Sequence, residues 1–167
     1  RSIIALSGKT GEIIWKHQTN EYGTGGWVYQ VDCSYDYNND AVDDVLAATG
    51  NDGTNTGPKR INCLDGLTGE TIWECYTNGP NFSVIGIHDF NGDNIPDVLG
   101  GASDLNETQG KVYGIDGSDG SIEWTFDPDG TSVWALEEIT PDSAFGTQRV
   151  IAGDFGGNYY LLDPQDG

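Results

Sequence analysis

The chain has 167 residues, with 27 acidic and 7 basic side chains and a net charge of −20. Nucleic acid and anionic membrane surfaces are poor partners for so negative a field, and no apolar run is long enough to insert into a bilayer. The 25 glycines and the absence of a long apolar-periodic segment favour many short strands joined by tight turns. Because the chain begins with Arg1, we expect a mature or internal piece of a longer protein.

The first predicted element is a hairpin that recurs along the chain. It covers residues 5–15, and related segments cover residues 63–73, 114–124 and, cut short, 161–167. In each copy a strand ends at a Ser or Asp whose side chain can bond the following turn. A glycine then supplies the positive φ that closes the hairpin with a bulge. A period of about 50 residues with several strands per unit predicts a β-propeller.

A tryptophan follows the turn glycine in the three complete hairpins. It lies four residues after that glycine, on the return strand, where it can cover a neighbouring unit. We therefore predict packing between units for these tryptophans: Trp15, Trp73 and Trp124.

Two nine-residue loops lie between the hairpins, at residues 36–44 and 89–97. Each carries oxygen-bearing side chains at positions 1, 3, 5 and 9 and runs directly into an apolar, strand-like segment. This spacing lets a tight loop surround one hard cation, with position 7 adding a backbone carbonyl. We predict two Ca²⁺ sites, with these ligands: Asp36, Asn38, Asp40, Val42 and Asp44 in the first loop, and Asp89, Asn91, Asp93, Ile95 and Asp97 in the second.

Position 6 distinguishes the two loops. It is Ala41 in the first and Asn94 in the second, and Asn tolerates left-handed backbone geometry better than Ala. The second loop is therefore predicted to bind calcium more tightly. In the third unit residues 138–142 occupy the loop position, but Arg149 stands in the slot of the position-9 carboxylate. We expect no metal there.

These elements together predict an all-β fold, a propeller of four-stranded antiparallel blades with about 13 strands. The predicted divisions are residues 1–19 for the last two strands of a blade, 20–78 and 79–128 for two whole blades, and 129–167 for an incomplete blade. Closed propellers have roughly 4–8 blades, and open edges would expose unpaired strands. We therefore expect the remainder of a longer chain, or another chain, to complete the propeller.

The motifs resemble those of two propeller families. The hairpins resemble the quinoprotein (PQQ-like) repeat, in which an Ala-x-Asp-x-x-x-Gly-x-x-x-Trp motif docks each blade onto the next; Ala5, Gly11 and Trp15 carry the match in the first copy. The loops are similar to the FG-GAP repeats of integrin-type propellers, which bind calcium between the first two strands of a blade. The resemblance implies a propeller with calcium loops and leaves its activity open.

The predicted function is a non-catalytic, calcium-binding scaffold outside the cell or at its surface. Its role would be adhesion, assembly, or binding of a protein, a glycan or neighbouring subunits. Aromatic residues expected in loops could form the contact face, or could be packing: Tyr22, Trp27, Tyr35 and Tyr37. Three alternatives stay open: the propeller of a calcium-dependent polysaccharide lyase, a PQQ-dependent dehydrogenase, and a structural subunit of a surface layer or filament.

No catalytic or organic-cofactor residue is predicted. PQQ is anionic and would need basic residues around a central channel, whereas the chain has only 7 basic residues. No nucleophile-elbow context occurs, and His17 and His88 are isolated in the sequence, as surface or strand-end residues would be.

Cysteines and sequons add little to this prediction. The cysteines match no metal pattern, and we expect them to be buried small residues on strands. One disulfide between two of the three remains an alternative: Cys33, Cys63 and Cys75. Sequons at Asn81 and Asn106 permit N-glycosylation where the machinery exists.

Overall fold

The computed structural model describes residues 1–20, 25–50, 57–140 and 147–167, which form strands joined by turns. None of these ranges contains a helix able to cross a membrane. The strands are β1 (Ser2–Leu6), β2 (Ile13–Gln18), β3 (Trp27–Asp32), β4 (Val45–Gly50), β5 (Arg60–Leu64), β6 (Thr71–Tyr76), β7 (Asn81–Ile87), β8 (Asp97–Ser103), β9 (Gly110–Ile115), β10 (Ile122–Phe126), β11 (Val133–Ile139), β12 (Arg149–Asp154) and β13 (Tyr159–Leu162).

The strands form four antiparallel sheets in which sequence neighbours are also spatial neighbours. A leading hairpin of β1 and β2 comes first. It is followed by blade 1 (β3–β6), blade 2 (β7–β10) and the three-stranded blade 3 (β11–β13). Strand β7 contacts both β3 and β11, so the first strands of the three blades adjoin one another. The prediction of an all-β propeller of four-stranded antiparallel blades is confirmed.

The recurrent hairpin turn has the predicted backbone. In blade 1 the Asp65 side chain accepts hydrogen bonds from the amides of Leu67 and Thr68, at 2.9 and 2.7 Å, and the register shifts between Cys63 and Leu64. The turn glycines have φ values of 75 to 79°, as a left-handed turn requires: Gly11, Gly69, Gly120 and Gly167.

The three tryptophans dock each unit onto the turn of the next, as predicted. Their indole Nε1 groups donate to backbone carbonyls 2.7 to 2.8 Å away, in three pairs: Trp15 to Gly66, Trp73 to Gly117, and Trp124 to Pro164. The rings also lie against the turn glycines of the next blade. A Cβ atom at Gly120 would stand 2.7 Å from the Trp73 ring, so only glycine allows this approach.

The hydrophobic core lies between successive sheets. One cluster joins the leading hairpin to blade 1, a second joins blade 1 to blade 2, and a third joins blade 2 to blade 3. Cys63 and Cys75 are buried in the second cluster as free thiols, whereas Cys33 is exposed and also free. The expectation of buried strand cysteines therefore holds for two of the three.

Gly120→Ala should destabilise the fold more than Gly11→Ala does. Both glycines have positive φ, so both substitutions strain the backbone, but a Cβ atom at Gly11 meets no atom within 4 Å. We expect an additional loss of roughly 1–3 kcal/mol for Gly120→Ala, because the docked Trp73 ring must move. Chemical denaturation of both variants measures the difference; equal losses would contradict docking through this contact.

Candidate metal loops

The two predicted calcium loops follow the same backbone path. At position 4, φ is 61° for Asn39 and 90° for Gly92; at position 6 it is 70° for Ala41 and 72° for Asn94. Both loops therefore require left-handed geometry at position 6. Ala41 adopts that geometry at a steric cost that Asn94 largely avoids.

Side chains at positions 1, 3 and 5 order each loop from within. In the second loop Asp89 accepts the amides of Gly92 and Asn94 at 2.6 and 2.8 Å. Asn91 Oδ1 accepts the amide of Asp93 at 3.0 Å. In the first loop Asp36 accepts the amides of Asp40 and Ala41. Asn38 Oδ1 also accepts the amide of Asp40, and Asp40 Oδ1 accepts the amide of Val42. Each acceptor oxygen has a second lone pair, so these bonds are compatible with a cation.

The position-9 carboxylates are fully buried and join the loop to the hairpin of the same blade. Asp97 Oδ2 accepts the amide of Phe90 at 2.7 Å, and its Oδ1 accepts the amide of Gly117 at 3.1 Å. Asp44 bonds the amides of Tyr37 and Gly66 in the same way, at 2.8 and 2.9 Å. Burial raises the pKa of Asp97 to about 6 and also raises that of Asp44, although the bonded amides act in the opposite direction.

One hairpin glycine is therefore shared between two blades. The N–H of Gly117 binds Asp97 of blade 2, while its carbonyl accepts the indole N–H of Trp73 from blade 1. Gly66 is held in the same way, by Asp44 and by Trp15 of the leading hairpin. This role was not predicted from the sequence, where its only signal is the Asp-Gly pair at 65–66 and 116–117.

Blade 3 replaces this link with an ion pair. Its hairpin has Pro164 at the equivalent position, and proline has no N–H for a carboxylate to bind. Arg149 stands in the position-9 slot, and its guanidinium contacts Asp163 Oδ2 at 3.0 Å and the carbonyl of Gln148 at 2.7 Å. The loop residues 141–146 lie outside the described residues.

An aromatic residue at position 2 anchors each loop against the tryptophan of its own blade. Ring centroids are 6.4 Å apart for Tyr37 and Trp73, and 6.3 Å apart for Phe90 and Trp124. Tyr37 is only 4% exposed, so its ring is packing rather than part of a contact face.

The other aromatic residues predicted for a contact face do not lie on one face. Half-buried Tyr35 follows β3, whereas exposed Trp27 begins that strand at its opposite end. Tyr22 lies outside the described residues.

Both histidines bridge neighbouring blades. His88 Nδ1 lies 2.9 Å from Glu138 Oε2 on β11, and His17 Nδ1 lies 3.1 Å from the carbonyl of Gly69. The sequons also differ: Asn106 is exposed, whereas Asn81 is buried and its amide donates to the Thr49 carbonyl at 3.0 Å. The folded chain therefore offers only Asn106 to a glycosylating enzyme.

The donor set of each loop suits a hard cation. It consists of three carboxylates, one Asn amide oxygen and one backbone carbonyl, which are the oxygen ligands that Ca²⁺ prefers. Within each loop the side-chain Nδ2 of the position-3 Asn donates to Oδ1 of the position-9 Asp. The distance is 3.5 Å from Asn38 to Asp44 and 3.4 Å from Asn91 to Asp97. Across the part of the chain that the structure describes, no three His, Cys, Asp or Glu side chains converge as a metal cluster. In chemical type, the residues present fit calcium.

Asp97 should give the metal-free protein a distinctive pH dependence. Its folded pKa of about 6 lies above the ordinary value of 3.8, so the native state binds more protons between these values and loses stability as pH rises through them. We expect the free energy of unfolding of the wild type, relative to Asp97→Asn, to fall by roughly 3 kcal/mol from acid to neutral pH. Urea denaturation in chelator measures it, and a rise would contradict the assignment.

Comparisons with known proteins agree with this architecture. A model of the PQQ-like repeat family, described as "Outer membrane protein assembly factor BamB", matches residues 1–167. No curated protein matches.

Two solved structures are similar to parts of the chain, and the first of them shares its fold. One, described as "Apo ctPRC2 in an autoinhibited state", is 13% identical with a TM-score of 0.56, covering 98% of this chain and 31% of that chain. Another, described as "Crystal structure of BBS1N in complex with ARL6DN, soaked with lead", is 9% identical with a TM-score of 0.40, covering 90% and 55%. The chain thus spans about a third of the first structure, and at this identity the likeness concerns the fold alone. The match over every residue shows that the chain belongs to the PQQ-like β-propeller repeat family of outer membrane protein assembly factor BamB.

Proposed function

We propose that the chain is a calcium-stabilised part of a non-catalytic propeller scaffold that holds protein or glycan partners outside the cell or at its surface. The observation that carries the proposal is the buried position-9 carboxylate. Asp97 belongs to a loop with calcium-type donors and also fixes the glycine onto which the preceding blade docks. A cation in the loop would therefore stabilise the contact between blades.

A structural role for the metal agrees with how the three blades differ. The donors of each loop come from the protein, and the loop recurs in blades 1 and 2, where the position-9 carboxylate makes the same bonds to the loop and the hairpin. Blade 3 has an Arg149–Asp163 ion pair where the others have the carboxylate link. An ion that one repeat replaces with an ion pair stabilises the fold and performs no chemistry.

Charge and family support a scaffold outside the cell. Calcium-binding modules outside the cell have Kd values of about 10⁻⁴–10⁻³ M. The net charge of −20 keeps such a surface soluble and disfavours anionic partners. The family description names an assembly factor, and holding partner proteins is the same class of function.

Calcium should raise the melting temperature of the chain. Because the folded loops alone would bind the ion, each occupied site adds about 2.7 kcal/mol at a free concentration 100 times its Kd. Thermal melts in calcium and in chelator measure the effect. Asp104→Asn is the control, since Asp104 also accepts turn amides but lies outside both loops. A melting temperature that chelator leaves unchanged would contradict the proposal.

The two loops should differ in affinity, with the second binding more tightly. Asp89→Ala should therefore cost more calcium affinity than Asp36→Ala, measured by calorimetric titration. Equal losses would overturn this ranking.

Ala41→Gly should strengthen the first loop. Glycine removes the Cβ that makes a φ of 70° costly for Ala41, so we expect about 1 kcal/mol more stability in chelator and tighter calcium binding. Asn94→Gly is the matched control and should gain less, because Asn94 already tolerates that geometry. An equal gain in both variants would show that strain at Ala41 does not limit the first site.

A further inference from the structure

The first strand of each blade carries a β-bulge at the same place, and the bulged residue is aromatic in all three blades. Near the start of that strand, the pairing with the second strand of the blade skips one residue. The skipped residues are Tyr29 in β3, Phe82 in β7 and Trp134 in β11. A bulge changes the direction in which a side chain points, so three equivalent bulges direct three rings in a related way.

These rings meet because the first strands of the blades adjoin one another. The Phe82 ring is stacked on Trp134, with centroids 4.4 Å apart and planes 10° apart, and the Tyr29 ring meets Phe82 edge-on at 4.9 Å. Trp27 and Phe155 extend the array, at 6.5 Å from Tyr29 and 6.0 Å from Trp134. We call these five rings the aromatic platform. It lies at the end of the blades opposite the calcium loops.

Much of the aromatic platform is exposed. Phe82 is buried and covers one face of the Trp134 indole, yet Trp134 is 45% exposed, so the other face of its ring is open. Phe155 is 79% exposed beside Trp134, where its amide donates to the Ser132 carbonyl at 2.9 Å and fixes the turn after β12. A contiguous exposed apolar surface with polar surroundings is typical of an interaction site.

The surroundings of the platform are acidic. The segments 104–109, 127–132 and 154–158 lie at this end of blades 2 and 3 and contain five acidic residues and no basic one: Asp104, Glu107, Asp127, Asp129 and Asp154. Burial raises the pKa of the Tyr29 hydroxyl, and the negative charge of Glu107 raises it further. Lys111 on β9 forms an ion pair with Asp127, so the net charge of this region is negative. Its field favours a cationic partner.

One ring of the platform already contacts a cation. The Arg1 guanidinium lies over the Trp27 ring, with Cζ 5.7 Å from the ring centroid. This distance is within the roughly 6 Å at which cation–π attraction operates. A guanidinium is planar and more weakly hydrated than an ammonium, and therefore stacks well on aromatic faces. The open face of Trp134, with its acidic surroundings, offers the same kind of contact to a guanidinium of another molecule.

We propose that the aromatic platform binds an arginine-bearing, basic segment of a partner protein, with one guanidinium stacked on the open face of Trp134. The inference rests on the proposed scaffold function, for which it names the chemistry of the protein partner. Phe155 contacts the aliphatic part of the bound arginine, because long basic side chains lay their methylene groups along apolar surface. Glu107 attracts the further basic residues of the segment.

Binding is tested with the full chain in saturating calcium, using a blocked hexapeptide of alternating glycine and arginine as the probe. Two matched peptides carry lysine or citrulline in place of arginine; citrulline keeps the shape of arginine but is uncharged. We expect the arginine peptide to bind with a Kd of about 0.1–1 mM and to shift the NMR signal of the Trp134 indole N–H. The citrulline peptide should bind about tenfold more weakly, and the lysine peptide about threefold more weakly.

Variants of the chain locate the site. Trp134→Ala should weaken binding of the arginine peptide about fivefold, because the stacking ring is removed. Phe155→Ala and Glu107→Gln should each weaken it about twofold to threefold, and both residues are exposed, so these variants keep the fold. Glu12→Gln is the matched charge control, since Glu12 is an exposed carboxylate in the first hairpin turn, at the other end of the blades. It should leave binding unchanged.

Several results would overturn the proposal. The arginine peptide fails to bind at about 10 mM, the citrulline peptide binds equally well, or Trp134→Ala, Phe155→Ala and Glu107→Gln all bind like the wild type. A shift of the Trp134 indole signal by cellobiose and not by the peptide would assign the platform to a sugar. Sedimentation of the protein alone tests for a second copy on the platform: a dimer that Phe155→Ala abolishes would also overturn the proposal.

Thermal melts of the same samples separate this proposal from the scaffold proposal. A calcium-dependent melting temperature without peptide binding overturns the arginine site alone. Peptide binding with a melting temperature that chelator does not change overturns the calcium role alone.

Discussion

The structure depends on one contact between successive sheets, in which an indole N–H binds a hairpin carbonyl of the next blade. The same ring lies against a glycine whose positive φ and missing Cβ permit that approach. Because the core also lies between the sheets, a blade cannot bury its apolar face alone. Each blade is stable only when it is docked, as is general for repeat architectures. The tryptophan therefore orients the blades as well as filling space.

The calcium-type loops are joined to this contact through a single residue. In blades 1 and 2 a buried carboxylate fixes the N–H of the glycine whose carbonyl receives the indole. Blade 3 has a proline at that point, which removes the N–H, and an arginine in place of the carboxylate. The proline removes the N–H that a carboxylate would bind, and the partly exposed Arg149 pairs with Asp163 instead. The loop, the hairpin turn and the interblade contact therefore stabilise one another through this glycine.

Much of this was predictable from the sequence. The hairpin repeat specified the turn glycines, the docked tryptophans and the blade architecture, because each depends on local turn chemistry or on a fixed period. The left-handed backbone at Ala41 and Asn94 also followed from the loop pattern. The glycines shared between blades were not predicted, since contacts between residues far apart in sequence depend on how blades stack. The aromatic platform was missed for the same reason, because its rings come from three blades.

The most direct test of this account is a double-mutant cycle across Gly117 in chelator. Trp73→Phe removes the indole N–H, and Asp97→Asn removes the charge that binds the glycine amide. If both groups act through one residue, the free energies of unfolding should be non-additive, with a coupling of roughly 0.5–3 kcal/mol. Additivity within about 0.3 kcal/mol would show that the loop and the interblade contact are independent, and would contradict the account.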